Sequence, residues 1–380
     1  MRRLALLLLA LAPAAFPGPA GGAARPPAVA AVRLDTGEIE GAKYAIARPP
    51  GWNGYLLLYA HGFRDEHGAL VADLNPRHLA YQTLLGEGWI IATTSYRRNG
   101  MIIRDAIADL ENLRAHIART YGEPQVTILA GASMGGAIVT LMAEQFADHY
   151  QGAVAVGAAL QAREPGAPLA FNLQPKIPLV FLTNQSELDG PRHYLAAPFD
   201  RPVAPVLLEV RRDGHVNVSQ RELLVAVRTV LTRIDGQPPA LPPVDGAPGW
   251  YDATQTPAPG PSQVRLRNEG GFEARVTDVD PIYGNLTLNA QPLDLAQASI
   301  APGADFQLTA NGQSFRVRSG RDFTSVPRGG WVAFADADGF LLVARREADA
   351  AATAGLHEGD RVVVHRLLDD GVGTAGAGNP

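Results

Sequence analysis

The sequence predicts an α/β fold, a mostly parallel sheet with helices on both faces, joined to a smaller all-β domain at the C-terminus. Three observations lead there. Short runs that are apolar throughout, such as 55–60, 89–94, 126–130, 178–183 and 206–210, alternate with stretches of helical period, as strands buried on both faces of a parallel sheet do. A Pro-rich stretch, 237–261, then breaks the pattern and reads as an extended, semi-rigid linker. Beyond it, short strand-like segments alternate with turns, the mark of a small barrel or sandwich.

Composition narrows the chemistry. The chain has 380 residues, enough for two domains, and a net charge of −5 with no basic stripe, so nothing points to nucleic acid. There is no Cys. That excludes disulfides, thiol catalysis and thiolate metal sites. The N-terminus reads as a cleaved signal peptide over 1–24. Arg2-Arg3 precede a short apolar core from Leu4 to Leu11, and small residues follow, with cleavage expected near Ala23 or Ala24. The apolar core is too short to span a bilayer and no later segment is long enough, so the expected protein is exported, secreted or periplasmic.

In chain order, 39–46 reads as an edge strand and Gly51–Gly54 as a turn. The buried strand 55–60 runs straight into His61-Gly62-Phe63. Gly62 lets the backbone turn and present N–H groups, which makes the Phe63 N–H a candidate oxyanion donor. His61 at the strand end reads as structural, a ring that ties down the loop. Asp65-Glu66-His67 are adjacent loop residues without distant partners, and no metal site is expected from them. A helix is expected over 76–85, and Arg97 and Arg98, after the next strand, read as solvated loop charges. Met101 to Tyr121 has helical period, with His116 on its outer face.

The stretch from Val126 to Met142 is the centre of the chain. A short β run leads into Gly131-Ala132-Ser133-Met134-Gly135 and then into a helical run from Ala137. This strand–turn–helix holds Ser133 in a strained backbone conformation, with its hydroxyl clear of the sheet. Gly131 and Gly135 are needed because side chains there would collide across the bend. The Met134 N–H, at the helix start, is the second candidate oxyanion donor. Two later strands end in an acidic loop, Glu187 to Asp189, and in Gly214-His215. A pattern Ser219-Gln220-Arg221-Glu222 then opens a helix to about Ile234. The order Ser133, acid, His215, each at the carboxyl end of its strand, is what one sheet needs to bring three side chains together. His215 would take the Ser133 proton and return it to the leaving group, while the acid would hold the imidazole tautomer. Glu187 stands where the loop carries the acid. Asp189, two residues on, is the alternative. Only a short segment, 160–176, stands where a lid could have been inserted, so the site is expected to be open.

On these motifs, residues 39–234 resemble an α/β-hydrolase, and the domain is taken as 30–236. The resemblance implies a serine hydrolase without cofactor or metal. A carboxylic ester, small or polymeric, is the expected substrate. A peptidase or amidase with the same triad is the alternative.

The β-rich part, 262–370, resembles the C-terminal domain of the S-adenosylmethionine hydroxide adenosyltransferase and fluorinase family. The likeness rests on Val279-Asp280-Pro281-Ile282-Tyr283-Gly284-Asn285, Asn289, Trp331–Phe334, Gly339, Leu342–Arg345 and Gly359–Val362. It implies that Tyr283 and Asn285 match the element that contacts the ligand there. The departure is at Asp336-Ala337-Asp338, where some relatives carry Asn-Ser-Arg. The family's N-terminal catalytic domain is also missing. The module is therefore expected to pack on the hydrolase part or shade its site. A third reading makes the protein a binder of a nucleoside or polymer through this domain. The tail, 371–380, is expected to be disordered.

Overall fold

Strand after strand, the apolar runs fall into one sheet. The computed structural model describes residues 32–164, 170–198, 204–256, 261–267 and 270–367. The expected signal peptide and the tail lie outside them, and residues from Val32 on form one compact unit. The first half contains β1 (Arg33–Ile39), β2 (Ala42–Arg48), β3 (Tyr55–Ala60), α1 (Leu79–Gly86), β4 (Ile90–Thr94), α2 (Ile103–Tyr121) and β5 (Val126–Ala132). After these come α3 (Met134–Gln145), β6 (Gly152–Val156), β7 (Leu179–Asn184), α4 (Asp189–Ala196), β8 (Val206–Val210), α5 (Gln220–Ile234) and β9 (Trp250–Asp252). Among the described residues the strand order is β1-β2-β4-β3-β5-β6-β7-β8-β9. From β4 through β9 all neighbours are parallel.

The bounds of some strands differ from the sequence reading. The segment 39–46 is not one edge strand. Glu40 and Gly41, with φ of +49° and +85°, turn β1 back on β2, a two-residue hairpin whose twist suits both positive φ values. The Pro-rich stretch contributes β9, which pairs with β8 through Leu207–Trp250 and Glu209–Asp252.

Alternation along the strands feeds two cores. Leu56, Leu58, Leu129 and Phe181 pack with α2 and α3 on one face. Leu57, Ile128, Val180 and Leu208 pack with α1 and α5 on the other. Helices therefore cover both faces, as parallel strands require. The loop after β4 is fixed from below. Asp109 of α2 is buried and accepts from the Arg97 N–H at 2.8 Å and from Arg97 Nε at 2.9 Å. Arg97 is thus not a solvated charge, because a buried carboxylate must be compensated. Arg98 pairs with Asp105 at the surface. His116 is half-buried, its ring 5.0 Å from that of Tyr44.

The second half holds β10 (Arg265–Leu266), β11 (Phe272–Val279), β12 (Leu286–Leu288), α6 (Pro292–Gln297), β13 (Asp305–Ala310) and β14 (Gln313–Ser319). It continues with β15 (Trp331–Ala335), β16 (Leu341–Arg345), α7 (Ala350–Ala354) and β17 (Arg361–Arg366). Strands β11 to β17 close into a barrel through the β11–β17 and β13–β17 pairings, and β10 extends β11. Phe272, Phe306, Leu341 and Val364 fill it. The two short helices, α6 and α7, are additions to an expectation of strands alone.

At the carboxyl end of β3, His61 stacks on Tyr96 at 4.0 Å between ring centroids. Its ring nitrogens lie 2.7 Å from the Gly62 carbonyl and 3.2 Å from the Ser95 carbonyl. Burial, and then the nearby Arg64 cation, push its pKa down to about 4. The buried, stacked ring is thus a structural part of the loop.

Two predictions follow from this packing. A methyl on Gly135 would lie 2.0 Å from the Ala60 carbonyl oxygen, whereas one on Gly86, in α1, meets nothing within 4 Å. Denaturant titration should show Gly135→Ala losing about 3 kcal/mol and Gly86→Ala gaining about 0.5–1 kcal/mol. For His61 the folded pKa lies below the unfolded value, so the unfolded chain takes the proton first. Stability is complete above pH 6.5 and is lost as pH falls through about 4. His61→Gln lacks this loss, so its stability deficit against wild type should narrow by up to about 3 kcal/mol between those pH values.

Candidate active site

The site grows from a close approach of backbones. β3 and β5 pair in register up to Ala60 opposite Gly131. A methyl on Gly131 would lie 2.3 Å from the Gly135 carbonyl oxygen. Only glycines let the chain double back here, and the price is concentrated in Ser133, whose φ and ψ are +56° and −116°. That is an unusual backbone state for a residue with a side chain. It is held by hydrogen bonds from the Ser133 N–H to the Val156 carbonyl and from the Ala159 N–H to the Ser133 carbonyl, at 2.9 and 3.0 Å.

Ser133, His215 and Glu187 are brought together. Ser133 Oγ is 2.8 Å from His215 Nε2, and His215 Nδ1 is 2.6 Å from Glu187 Oε1. Asp189 lies elsewhere: it is exposed, opens α4 and has no hydrogen bond to His215. The His215 side chain is 53% exposed and that of Glu187 30%, with Glu187 Oε2 itself buried, so the imidazole is open to solvent while the carboxylate is partly covered.

Backbone around the acid and the histidine is tied together. Asn184, ending β7, bonds both the N–H and the carbonyl of Asn217, each at 2.8 Å. Ser186 Oγ bonds the Gly214 N–H and carbonyl at 3.0 and 3.1 Å. Gly157 is a residue the sequence reading passed over. It directly follows β6, between the strands that carry Ser133 and Glu187, with φ +47°. A methyl there would lie 3.3 Å from Glu187 Oε2 and 3.1 Å from a Val216 methyl. The signal that could have found it is its place, a glycine just after the strand that separates those two.

The loop after β3 lies against Ser133. A methyl on Gly62 would be 3.3 Å from Ser133 Cβ and 3.9 Å from its Oγ. This puts Phe63, 47% exposed, close to Ser133. Met134 is the first residue of α3 and is buried. Among the described residues no acceptor takes the N–H of either. Asp65 and His67 pair at the surface, and among the described residues no group of three His, Asp or Glu is set to hold a metal.

Tyr283 and Asn285 lie on the turn after β11. Asp280 Oδ1 accepts from the N–H groups of Ile282 and Tyr283 at 2.8 and 2.9 Å. The Tyr283 ring is 60% exposed. A cavity of about 1090 Å³ opens elsewhere on the seam between the two halves, lined by His78 and Arg221 from one and Asp278, Asn289, Asp336 and Phe340 from the other. It includes neither Tyr283 and Asn285 nor the three residues around Ser133. At the same seam burial pushes the Asp336 carboxyl up to about 6.

Comparison with known proteins finds matches to two families along the chain. Residues 98–194 match the family described as serine aminopeptidase, S33. Residues 274–363 match the SAM hydroxide adenosyltransferase C-terminal domain. An o-phthalyl amidase of Xanthobacter agilis is 33% identical over 124 residues, which cover 31% of this chain and 25% of that protein. The chain thus spans about a quarter of the length of this curated relative. Among solved structures, an esterase of Pyrococcus furiosus is 15% identical with a TM-score of 0.42, over 54% of this chain and 91% of that one. An acylaminoacyl peptidase of Pyrococcus horikoshii is 13% identical with a TM-score of 0.39, over 50% and 39%. The chain is an α/β-hydrolase segment followed by a domain of the SAM hydroxide adenosyltransferase C-terminal family.

Proposed function

We propose that the protein is an exported serine hydrolase that cleaves carboxylic esters through an acyl-enzyme on Ser133. The observation that carries this is the unbroken line from Ser133 Oγ to His215 Nε2 and from His215 Nδ1 to Glu187, at 2.8 and 2.6 Å. A serine hydroxyl is a weak nucleophile until a base takes its proton. In this reading His215 removes that proton as Oγ attacks the carbonyl carbon. Glu187 holds the Nδ1–H tautomer and stabilises the imidazolium. The N–H groups of Phe63 and Met134 face the carbonyl oxygen as it gains charge. The imidazolium then protonates the departing alkoxide, the acyl group stays on Ser133, and water activated by His215 releases the acid. No metal or cofactor is required.

An ester is the less demanding substrate, since an alkoxide leaves with less help from a proton than an amine does. The exposed imidazole also stands open to the deacylating water. Cleavage of an amide is the second reading. It is favoured by the name of the 33% identical relative, an amidase. A phenyl ester and an anilide sharing one acyl group separate the two. Turnover of the ester with the anilide slower by orders of magnitude supports the ester reading, and comparable kcat/KM values overturn it in favour of an amidase.

Within the triad, Glu187→Gln should lower kcat by roughly 10³–10⁴-fold, while Asp189→Asn should leave it close to wild type. The reverse order would move the acid to Asp189. For export, the support is the basic-then-apolar N-terminus. The intact mass of protein recovered outside the cytoplasm should correspond to a chain starting just after Ala23 or Ala24. A full-length mass there would contradict cleavage.

A further inference from the structure

His215 is carried by a strained segment. The next residue, Val216, has φ +55°, a conformation that a β-branched side chain resists and that persists only where the surroundings hold it. One end of the segment is held from the acid's side, by Asn184 and Ser186. The other end is the start of α5. Ser219 Oγ accepts from the Glu222 N–H at 3.2 Å, and the buried Glu222 carboxylate accepts from the Ser219 N–H at 2.7 Å and from Arg212 at 2.6 Å. The next N–H of the helix, on Gln220, belongs to none of these bonds. It donates to both carboxylate oxygens of Asp338, at 3.0 and 3.2 Å.

Asp338 lies on the turn between β15 and β16 of the barrel domain. The turn is shaped by Asp336, whose Oδ1 accepts from the N–H groups of Asp338 and Phe340 at 3.0 and 2.8 Å. A carboxylate at a helix N-terminus meets both an unpaired N–H and the positive end of the helix dipole. Other polar contacts across the seam fall on the approach to α1. Asn75 donates to Asp278 at 2.7 Å, and Arg77 pairs with Glu358. The bond from Gln220 to Asp338 is placed on the helix that directly follows the histidine.

We propose that Asp338 is a positioning residue for His215: the barrel domain fixes the first turn of α5 and, through it, the loop that carries the imidazole. The inference rests on the reading of Ser133, His215 and Glu187 as the reacting groups. It gives the barrel domain a part in the hydrolase reaction without any ligand of its own. It also gives a physical role to the acidic residue at position 338, which stands in the run where some relatives carry Asn-Ser-Arg.

The test compares full-length variants on one phenyl ester, with kcat, KM and the thermal midpoint measured for each. Asp338→Ala removes the acceptor. Gln220→Pro removes the donor, and Gln220→Ala, which loses the side chain but keeps the N–H, is its control; proline suits the first helical position and Ser219 already has the extended backbone, with ψ 161°, that precedes proline. Asp338→Ala and Gln220→Pro should both lower kcat by roughly ten- to a hundredfold with KM little changed. Asp338→Asn keeps an acceptor oxygen and should recover most of the rate. Glu358→Gln weakens the seam away from α5 and should shift the thermal midpoint without the loss in kcat. A folded Gln220→Pro or Asp338→Ala protein with wild-type kcat overturns the proposal. So does an equal loss of kcat in Glu358→Gln. If Asp338→Ala does not fold, Gln220→Pro decides. A wild type that turns over no ester overturns the hydrolase reading itself and this inference with it, a result distinct from a variant that matches an active wild type.

Discussion

Three backbones meet where β3 ends, β5 ends and α3 begins, and there is no room for side chains between them. Ala60, Gly131 and Gly135 approach so closely that a single methyl on either glycine would fall within 2.3 Å of a carbonyl oxygen. This contact forces the sharp turn at Ser133, and the turn in turn lifts its hydroxyl off the sheet. The strain at φ +56° is a local cost of order 1–3 kcal/mol, offset by the sheet and the apolar cores buried on its faces. Parallel strands then deliver the remaining groups to the same edge. Gly157 follows the strand between those of Ser133 and Glu187, and a methyl there would press on Glu187 and Val216 at 3.1–3.3 Å, so that either must shift slightly to admit it.

The barrel domain lies against this edge rather than trailing from it. Its contacts run from the segment entering α1 to the first turn of α5. These are the segments that follow the candidate oxyanion loop and the candidate histidine. These bonds are polar and charged, of the kind that give a fixed register more than a large stabilisation. The turn bearing Tyr283 sits near Arg64, and Asp280 of that turn faces Asp73. Burial chiefly, and then Asp280, push the Asp73 carboxyl up. The barrel therefore reaches both flanks of the site while leaving His215 open to solvent.

Much of this was legible because it is local. Apolar runs bounded by turn residues locate the strands, the Gly-x-Ser-x-Gly spacing encodes the bend, and Ser219 with Glu222 marks the helix start. What escaped the sequence reading is pairwise and distant. Arg97 looks like any loop cation until Asp109, twelve residues on, proves to be buried beneath it. The hairpin at Glu40-Gly41 was hidden by a single continuous run of strand-like residues. β9 was masked by the prolines around it. Asp338 differs from its relatives' pattern in a way that a lone sequence registers only as a departure. Its partner is a backbone N–H 118 residues away, and a backbone group leaves no trace in sequence.

The central claim is that Ser133 is an activated nucleophile. The measurement that meets it most directly is intact mass after treatment with a fluorophosphonate, on wild type and on Ser133→Ala. The account predicts one phosphonyl adduct per folded wild-type chain and none on Ser133→Ala. Equal labelling of both proteins, or none on a folded wild type, would contradict it.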